Sequence, residues 1–302
     1  MRLGIGALIR AIRRRAATRF TTVPLKHIKI DDEERAAADH NYHLPLRSQR
    51  RSLGTARMIL LALLTLLFLV LLFAYIIYRP PKLVIDYLQW KYPDVLFHLK
   101  LPQSSRVIAL TIDDAPSDET TRILDLLKIY NSKATFFVIG SQIASHPDLL
   151  RRIHDEGHEL GNHAWADEPS VQLPLSELER QIKEVEALLP PNRPTTGSKI
   201  SPKYFRPGSG FFSKKMVEMA RKMGYRVVLG SIYPHDPQIH YPKINAKHVL
   251  SMARPGGIII MHDRRSYSAA EIELVLGGLK KKNYKVESIG GMISVLGTDK
   301  VR

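Results

Sequence analysis

The chain contains no cysteine. That excludes disulfide staples, a thiolate nucleophile and any Cys-ligated zinc site. Basic runs interleaved with aromatics, the pattern of RNA-binding modules, are also missing. The formal net charge of +16 is instead concentrated in residues 1–57, where thirteen Lys/Arg face five Asp/Glu. Nucleic acid is therefore not an expected partner, and no feature points to a particular protein partner. No N-x-S/T sequon follows residue 78, so glycosylation gives no clue to topology. Between Met58 and Tyr78 there is no charge at all, and Thr65 is the only residue outside the apolar and aromatic set.

That uncharged stretch is what the sequence has in excess. Twenty-one residues at ~1.5 Å per residue cover the ~30 Å of bilayer hydrocarbon. A buried helix of a soluble domain would have to be hydrophobic on every face, and a cleaved signal peptide would be shorter and nearer the terminus. Residues 58–78 therefore read as a single membrane span acting as a signal anchor. Arg47, Arg50, Arg51 and Arg57 precede it, while Arg79 and Lys82 follow. The excess on the N-terminal side predicts a type II membrane protein, with residues 1–57 cytosolic and largely disordered and the remainder lumenal or extracellular. The acid-free, Arg-rich first thirty residues also fit a mitochondrial transit segment, so a mitochondrial membrane is the alternative. Residues 79–104 read as a linker and 105–302 as the catalytic domain.

After Pro80-Pro81, apolar runs alternate with amphipathic stretches. Strands are expected at Val107–Ile112, Ala134–Ile139, His158–Asn162, Tyr204–Arg206, Arg226–Ser231 and Gly257–Met261. Helices are expected at Glu119–Tyr130, Ser141–Glu156, Ser176–Leu189, Ser213–Met223, Asn245–Met252 and Ala269–Lys282. Such alternation implies an α/β fold with a parallel sheet, here a (β/α) barrel, complete or distorted. Barrels of this kind collect functional residues at the C-terminal ends of their strands.

The polar residues follow that rule. Asp113 and Asp114 end the first strand, His163 follows the third, Arg206 the fourth, Tyr233–Asp236 the fifth, and His262 with Asp263 the last. Two adjacent carboxylates at the end of an apolar strand need a compensating charge. One can ligate a divalent metal while the other takes a proton from a water that the metal has acidified toward pKa ~7. His163 and Asp167 stand four apart, a spacing that would place both on one side of a helical turn. With Asp114 they form an Asp/His/Asp donor set suited to Zn2+, and also to Co2+, Fe2+ or Mn2+. His262 has a pKa suited to protonating a leaving group.

At this point the residues resemble the polysaccharide deacetylases of the NodB-homology type, carbohydrate esterase family 4. Thr111-Ile112-Asp113-Asp114-Ala115 is similar to that family's T-F-D-D-G, and His163-Ala164-Trp165-Ala166-Asp167 to its H-[ST]-x-x-H. Arg206-Pro207-Gly208-Ser209-Gly210 is similar to its R-x-P loop, and Ile260-Met261-His262-Asp263 to its L-x-H. The resemblance covers about Arg106 to Val295. It implies that Asp113 is the general base, Asp114 a metal ligand, Arg206 the residue that orients the base, and His262 the general acid.

The chain departs from the family pattern in three places. Asp167 stands where a second metal histidine is usual. The aromatic of the third motif gives way to Pro207-Gly208-Ser209-Gly210, leaving the glycine amides to hold an oxyanion and Phe211 or Phe212 to supply apolar surface. The fourth motif is represented only by Tyr233-Pro234-His235-Asp236-Pro237. Gly208, Ser209, Phe211, Tyr233 and Asp236 are the expected substrate-facing residues. The activity implied is metal-dependent removal of N-acetyl groups from an N-acetylglucosamine-containing, chitin-like polysaccharide. The alternatives are a membrane-tethered carbohydrate-binding pseudoenzyme on the same barrel, or a hydrolase of another non-peptide C–N bond or an O-acetyl ester.

Overall fold

A computed structural model describes residues 46–192 and 203–295, with backbone alone for 46–53. The expectations for residues 1–45, including an amphipathic Leu3–Arg15, lie outside the described residues. Helix α1 runs from Leu46 to Tyr78, so residues 46–57, expected as part of a disordered tail, are helical. Its Gly54–Tyr78 portion is long and apolar enough to cross a membrane.

The unit Leu71–Arg302 carries the remaining elements. In chain order they are α2 (Lys82–Lys91), β1 (Val95–Leu96), β2 (Val107–Ala115), α3 (Thr120–Ile129), β3 (Thr135–Val138), α4 (Gly140–Ile143), α5 (Pro147–Asp155), β4 (Glu159–Asn162), α6 (Leu175–Leu188), β5 (Tyr204–Phe205), α7 (Lys214–Lys222), β6 (Arg226–Val228), α8 (Pro242–Met252), β7 (Ile258–His262), α9 (Ser268–Lys281), β8 (Lys285–Glu287) and α10 (Ile289–Ser294). The strands pair in parallel in the order β1-β6-β5-β4-β3-β2-β7, and β8 pairs with β2. Beyond β6 the chain curls round to β7, where Ile232 bridges Ile259. The result is a curled, distorted (β/α) barrel.

Alternation along β2 explains its layers. Ile108, Leu110 and Ile112 pack outward against Ile123, Leu124 and Leu127 of α3 and Ile272, Val275 and Leu279 of α9. Ala109 faces inward among Phe137, Tyr204, Val228 and Ile258, with Ile289 and Met292 of α10 filling the barrel floor. All nine residues of β2 are buried, as a strand covered on both faces requires. The inward phase of Ala109 continues through Thr111 to Asp113 and aims that carboxylate at the barrel mouth.

Residues 79–104 are not a linker. Ile85 of α2, Val95 of β1 and Phe97 are buried with Phe205, Val217 and Val227. Val95 and Leu96 pair in register with Val227 and Val228. The two-residue β1 carries too little periodic signal to be seen as a strand. The expected helix Ser141–Glu156 is in fact two, α4 and α5, separated before Pro147, which cannot continue a helix from the preceding residues. Ser213 caps α7 as expected, its hydroxyl accepting from the Met216 amide.

Candidate active site

A bulge builds the acidic centre. Ile112 and Ala115 of β2 pair with Phe136 and Val138 of β3, so β2 spends one residue more than its partner on that interval. Asp114 takes a left-handed backbone with φ 64°. In a regular strand Asp113 and Asp114 would face opposite sides. The bulge re-aims the second, and both line one cavity. The cavity measures about 570 Å³, and Arg206, Tyr233, Ile260 and His262 are among its walls.

Arg206 compensates Asp113. Its Nη1 donates to Asp113 Oδ1 and to Thr111 Oγ1 (2.8 Å), and its Nε donates to the Val228 carbonyl (3.1 Å). The guanidinium also lies over the Phe137 ring, 4.1 Å from its centroid. Both partners are buried, so this pair is held by several elements rather than by surface attraction.

His163 and Asp114 form the second pair. The His163 Nδ1–H donates to the Arg206 carbonyl at 2.7 Å. That bond fixes the tautomer and leaves Nε2 as a lone-pair donor 3.8 Å from Asp114 Oδ1. Burial raises the Asp114 pKa, while His163 and His262 pull it down. A buried carboxylate and an imidazole lone pair facing across this gap fit a divalent cation, which would answer the charge that burial penalises. Asp167 lines the same cavity but sits on an irregular segment, not on a helical turn. Its side chain is 46% exposed against 4% for Asp114, and it meets Arg264 Nη1 at 3.5 Å. Among the described residues no group of three His, Cys, Asp or Glu is close enough to hold a metal. The structure thus brings two of the three expected ligands together and leaves the third on the rim.

His262 is the Cα partner of Asp113 across the β2–β7 pairing, so an imidazole and a carboxylate sit on adjacent strand ends. Its Nδ1–H donates to Asp236 Oδ1 at 2.8 Å, and its backbone N–H to Asp236 Oδ2 at 3.0 Å. Burial lowers the His262 pKa, but the Asp236 bond and charge, with Asp113 and Asp114, outweigh it and leave it raised.

Asp236 was expected to face substrate. It is buried behind His262, with both carboxylate oxygens engaged. Gly208 is also corrected, because its N–H donates to Ser170 Oγ at 2.8 Å and cannot serve an oxyanion. The Gly210 N–H goes to the Pro207 carbonyl at 3.1 Å. Ser209, Phe211 and Tyr233 do line the cavity, and Phe211 is largely exposed. Phe212 instead packs inward with Tyr92 and Phe97.

Three residues named in the sequence without a role at the site take one in the structure. Thr111, part of the first motif, steadies Arg206. Asp263 is fully buried and accepts from Ser117 Oγ (2.7 Å), Thr120 Oγ1 and the Arg264 amide (2.8 Å), tying the loop after β2 to the loop after β7. Arg265 lines the cavity 3.7 Å from Asp114 Oδ2.

A parallel barrel whose strand ends bring a buried carboxylate, an oriented imidazole and a facing carboxylate–imidazole pair to one cavity has the architecture of the α/β-barrel hydrolases. Comparison with known proteins narrows that class. The family profile described as polysaccharide deacetylase matches residues 100–228. A peptidoglycan-N-acetylglucosamine deacetylase of Bacillus cereus is 29% identical over 206 residues, which is 64% of this chain and 91% of the relative. The Listeria monocytogenes peptidoglycan-N-acetylglucosamine deacetylase PgdA is 33% identical over 62% of this chain, but the match spans only 39% of that protein. The solved structure of the Bacillus subtilis peptidoglycan deacetylase PdaC superposes with a TM-score of 0.56 at 29% identity, covering 65% of this chain and 94% of that one. The chain belongs to the polysaccharide deacetylase family and is a hydrolase of non-peptide carbon–nitrogen bonds.

Proposed function

We propose that the protein removes N-acetyl groups from an N-acetylglucosamine-containing glycan, at a site presented outside the cytosol by a signal anchor. The observation that carries the chemistry is the pairing of Asp113 with His262 across adjacent strand ends, each with its own buried partner. The similarity to peptidoglycan deacetylases supports an acetamidosugar substrate. The Gly54–Tyr78 helix and the Arg excess before it support the anchor.

In this reading Asp113, positioned by Arg206, takes the proton of the water that adds to the acetamide carbonyl carbon. As the C–N bond breaks, His262 gives its Nε2 proton to the departing sugar amine, and acetate remains. Asp236 holds the Nδ1–H and supports the imidazolium. Asp114 and His163 would hold a divalent cation, Zn2+ best matching the donors, which supplies Lewis acidity to water and carbonyl. Phe211 and Tyr233 offer apolar faces against which a sugar ring can rest.

The test is acetate release from N-acetylglucosamine oligomers by the full-length protein in detergent, with and without chelation. Release that stops on chelation, returns with Zn2+ and is lost in Asp113→Asn supports the reading. Release indifferent to chelation, or unchanged in Asp113→Asn, removes it.

A further inference from the structure

The two acidic side chains expected to hold a cation each face an arginine from one dipeptide. Arg265 Nη1 lies 3.7 Å from Asp114 Oδ2, and Arg264 Nη1 lies 3.5 Å from Asp167 Oδ2. Neither arginine arrives there by free rotation alone. The Arg264 amide donates to Asp263 Oδ1 and to Ser117 Oγ (3.2 Å), and its backbone is left-handed at φ 71°. The Arg265 amide donates to Ser268 Oγ (3.2 Å), and its Nη1 reaches the Asp263 carbonyl at 3.4 Å. The buried Asp263 clamp thus fixes the segment that aims both guanidinium groups at the acidic wall.

We propose that Arg265 is the resident counter-cation of Asp114, with Arg264 in the same part for Asp167, so that a divalent ion enters only by displacing arginine. This rests on the reading of Asp114 and His163 as ligands. Two like charges cannot share one buried carboxylate without mutual repulsion, and that repulsion is strongest where solvent is scarce. Arg265 is 25% exposed beside an Asp114 that is 4% exposed, whereas Arg264 and Asp167 are 41% and 46% exposed. Arg265 therefore carries most of the effect and Arg264 little, since solvent screens the outer pair. The arginines set the metal affinity of this chain below what its donors would give alone, and an occupied site frees two guanidinium groups at the mouth.

The experiment is a competition titration of Zn2+ against a fluorescent chelator, on the full chain in detergent, with thermal melting to confirm folding. Arg265→Ala should bind Zn2+ at least about tenfold more tightly than the parent. Arg265→Lys, which keeps the charge, should stay near the parent, and Arg264→Ala should shift affinity only a few-fold. Combining Asp114→Asn with Arg265→Ala should abolish the gain. A parent that binds Zn2+ while Arg265→Ala binds it equally or less tightly overturns the inference and leaves the metal reading standing. Absence of binding in the parent and all variants overturns both.

Discussion

Asp236 grips His262 twice, through the imidazole Nδ1–H at 2.8 Å and through the backbone amide at 3.0 Å. One carboxylate therefore sets both the tautomer and the position of the imidazole. The bond and charge of Asp236 are what raise the His262 pKa against the opposing effect of burial. Replacing Asp236 with Asn keeps the shape and removes the charge. The acid form of His262 is then lost at lower pH, so the alkaline limb of the kcat profile should move downward, with kcat reduced roughly 10²-fold at its optimum. A pH–rate profile of acetate release checks this; an unmoved alkaline limb would mean that another group supplies the proton.

Arg206 and Asp113 form a buried pair, and removing one partner strands the other. Arg206→Ala should cost about 3–5 kcal/mol of stability, measured by urea unfolding. Removing Asp113 as well should recover part of that loss, because the uncompensated charge is gone. Arg206→Lys keeps the charge but gives up the fork that reaches Thr111, Val228 and the Phe137 face together, so it should fall between parent and Ala.

Much of this site could be read from the chain because strand ends are easy to find and barrels gather them. The strand centres and most helices lie where apolar periodicity puts them. What escaped has a physical reason in each case. The bulge at Asp113-Asp114 depends on pairing with β3, which no local pattern encodes. Asp236 looked like a cavity residue because its distance from His262 in sequence hides their contact. Gly208 looked like an oxyanion donor because its partner, Ser170, lies 38 residues away. The spacing of His163 and Asp167 implied a helical turn, but Ala164 adopts φ 64° and the segment is irregular.

His158 makes a prediction about acid. It is buried, accepts from the Ala134 amide at Nδ1 (3.2 Å), and has its pKa pushed down to about 3, chiefly by burial and then by Lys133 and Arg152. The unfolded chain takes up this proton below pH ~6.5 and the folded one does not. Stability present above that pH is therefore lost as the pH falls from about 6.5 toward 3, by on the order of 5 kcal/mol over the full window. His158→Gln keeps an acceptor without titrating, and its unfolding free energy should decline less between pH 7 and pH 4. Parallel declines in parent and variant would assign the acid sensitivity to other groups.

Gly208 is constrained by space. A Cβ at this position would lie 2.1 Å from the Glu168 carbonyl oxygen, which is backbone and cannot swing aside. Gly208→Ala should therefore shift the Pro207–Phe211 loop, costing about 1–3 kcal/mol in thermal or urea unfolding. Because Ser209 and Phe211 ride on that loop, KM for the oligomer should rise more than kcat falls.

The helix α2 and the strand β1 change what it means to cut this protein loose from its apolar helix. A protease acting between Arg79 and Lys82 would shed a barrel that still owns its first strand. Cleavage a dozen residues later, near Asp94, would leave behind α2 with Ile85 and its hydrogen-bonded Gln89, whose side chain holds the Val95 carbonyl and the Phe97 amide. The released piece would keep β1 but lose the helix that covers it, leaving the apolar face around Val95, Phe97 and Val217 exposed. Cleavage at Pro80-Pro81 would therefore keep α2 with the barrel, whereas cleavage beyond α2 would release a fragment with an uncovered apolar patch that invites aggregation.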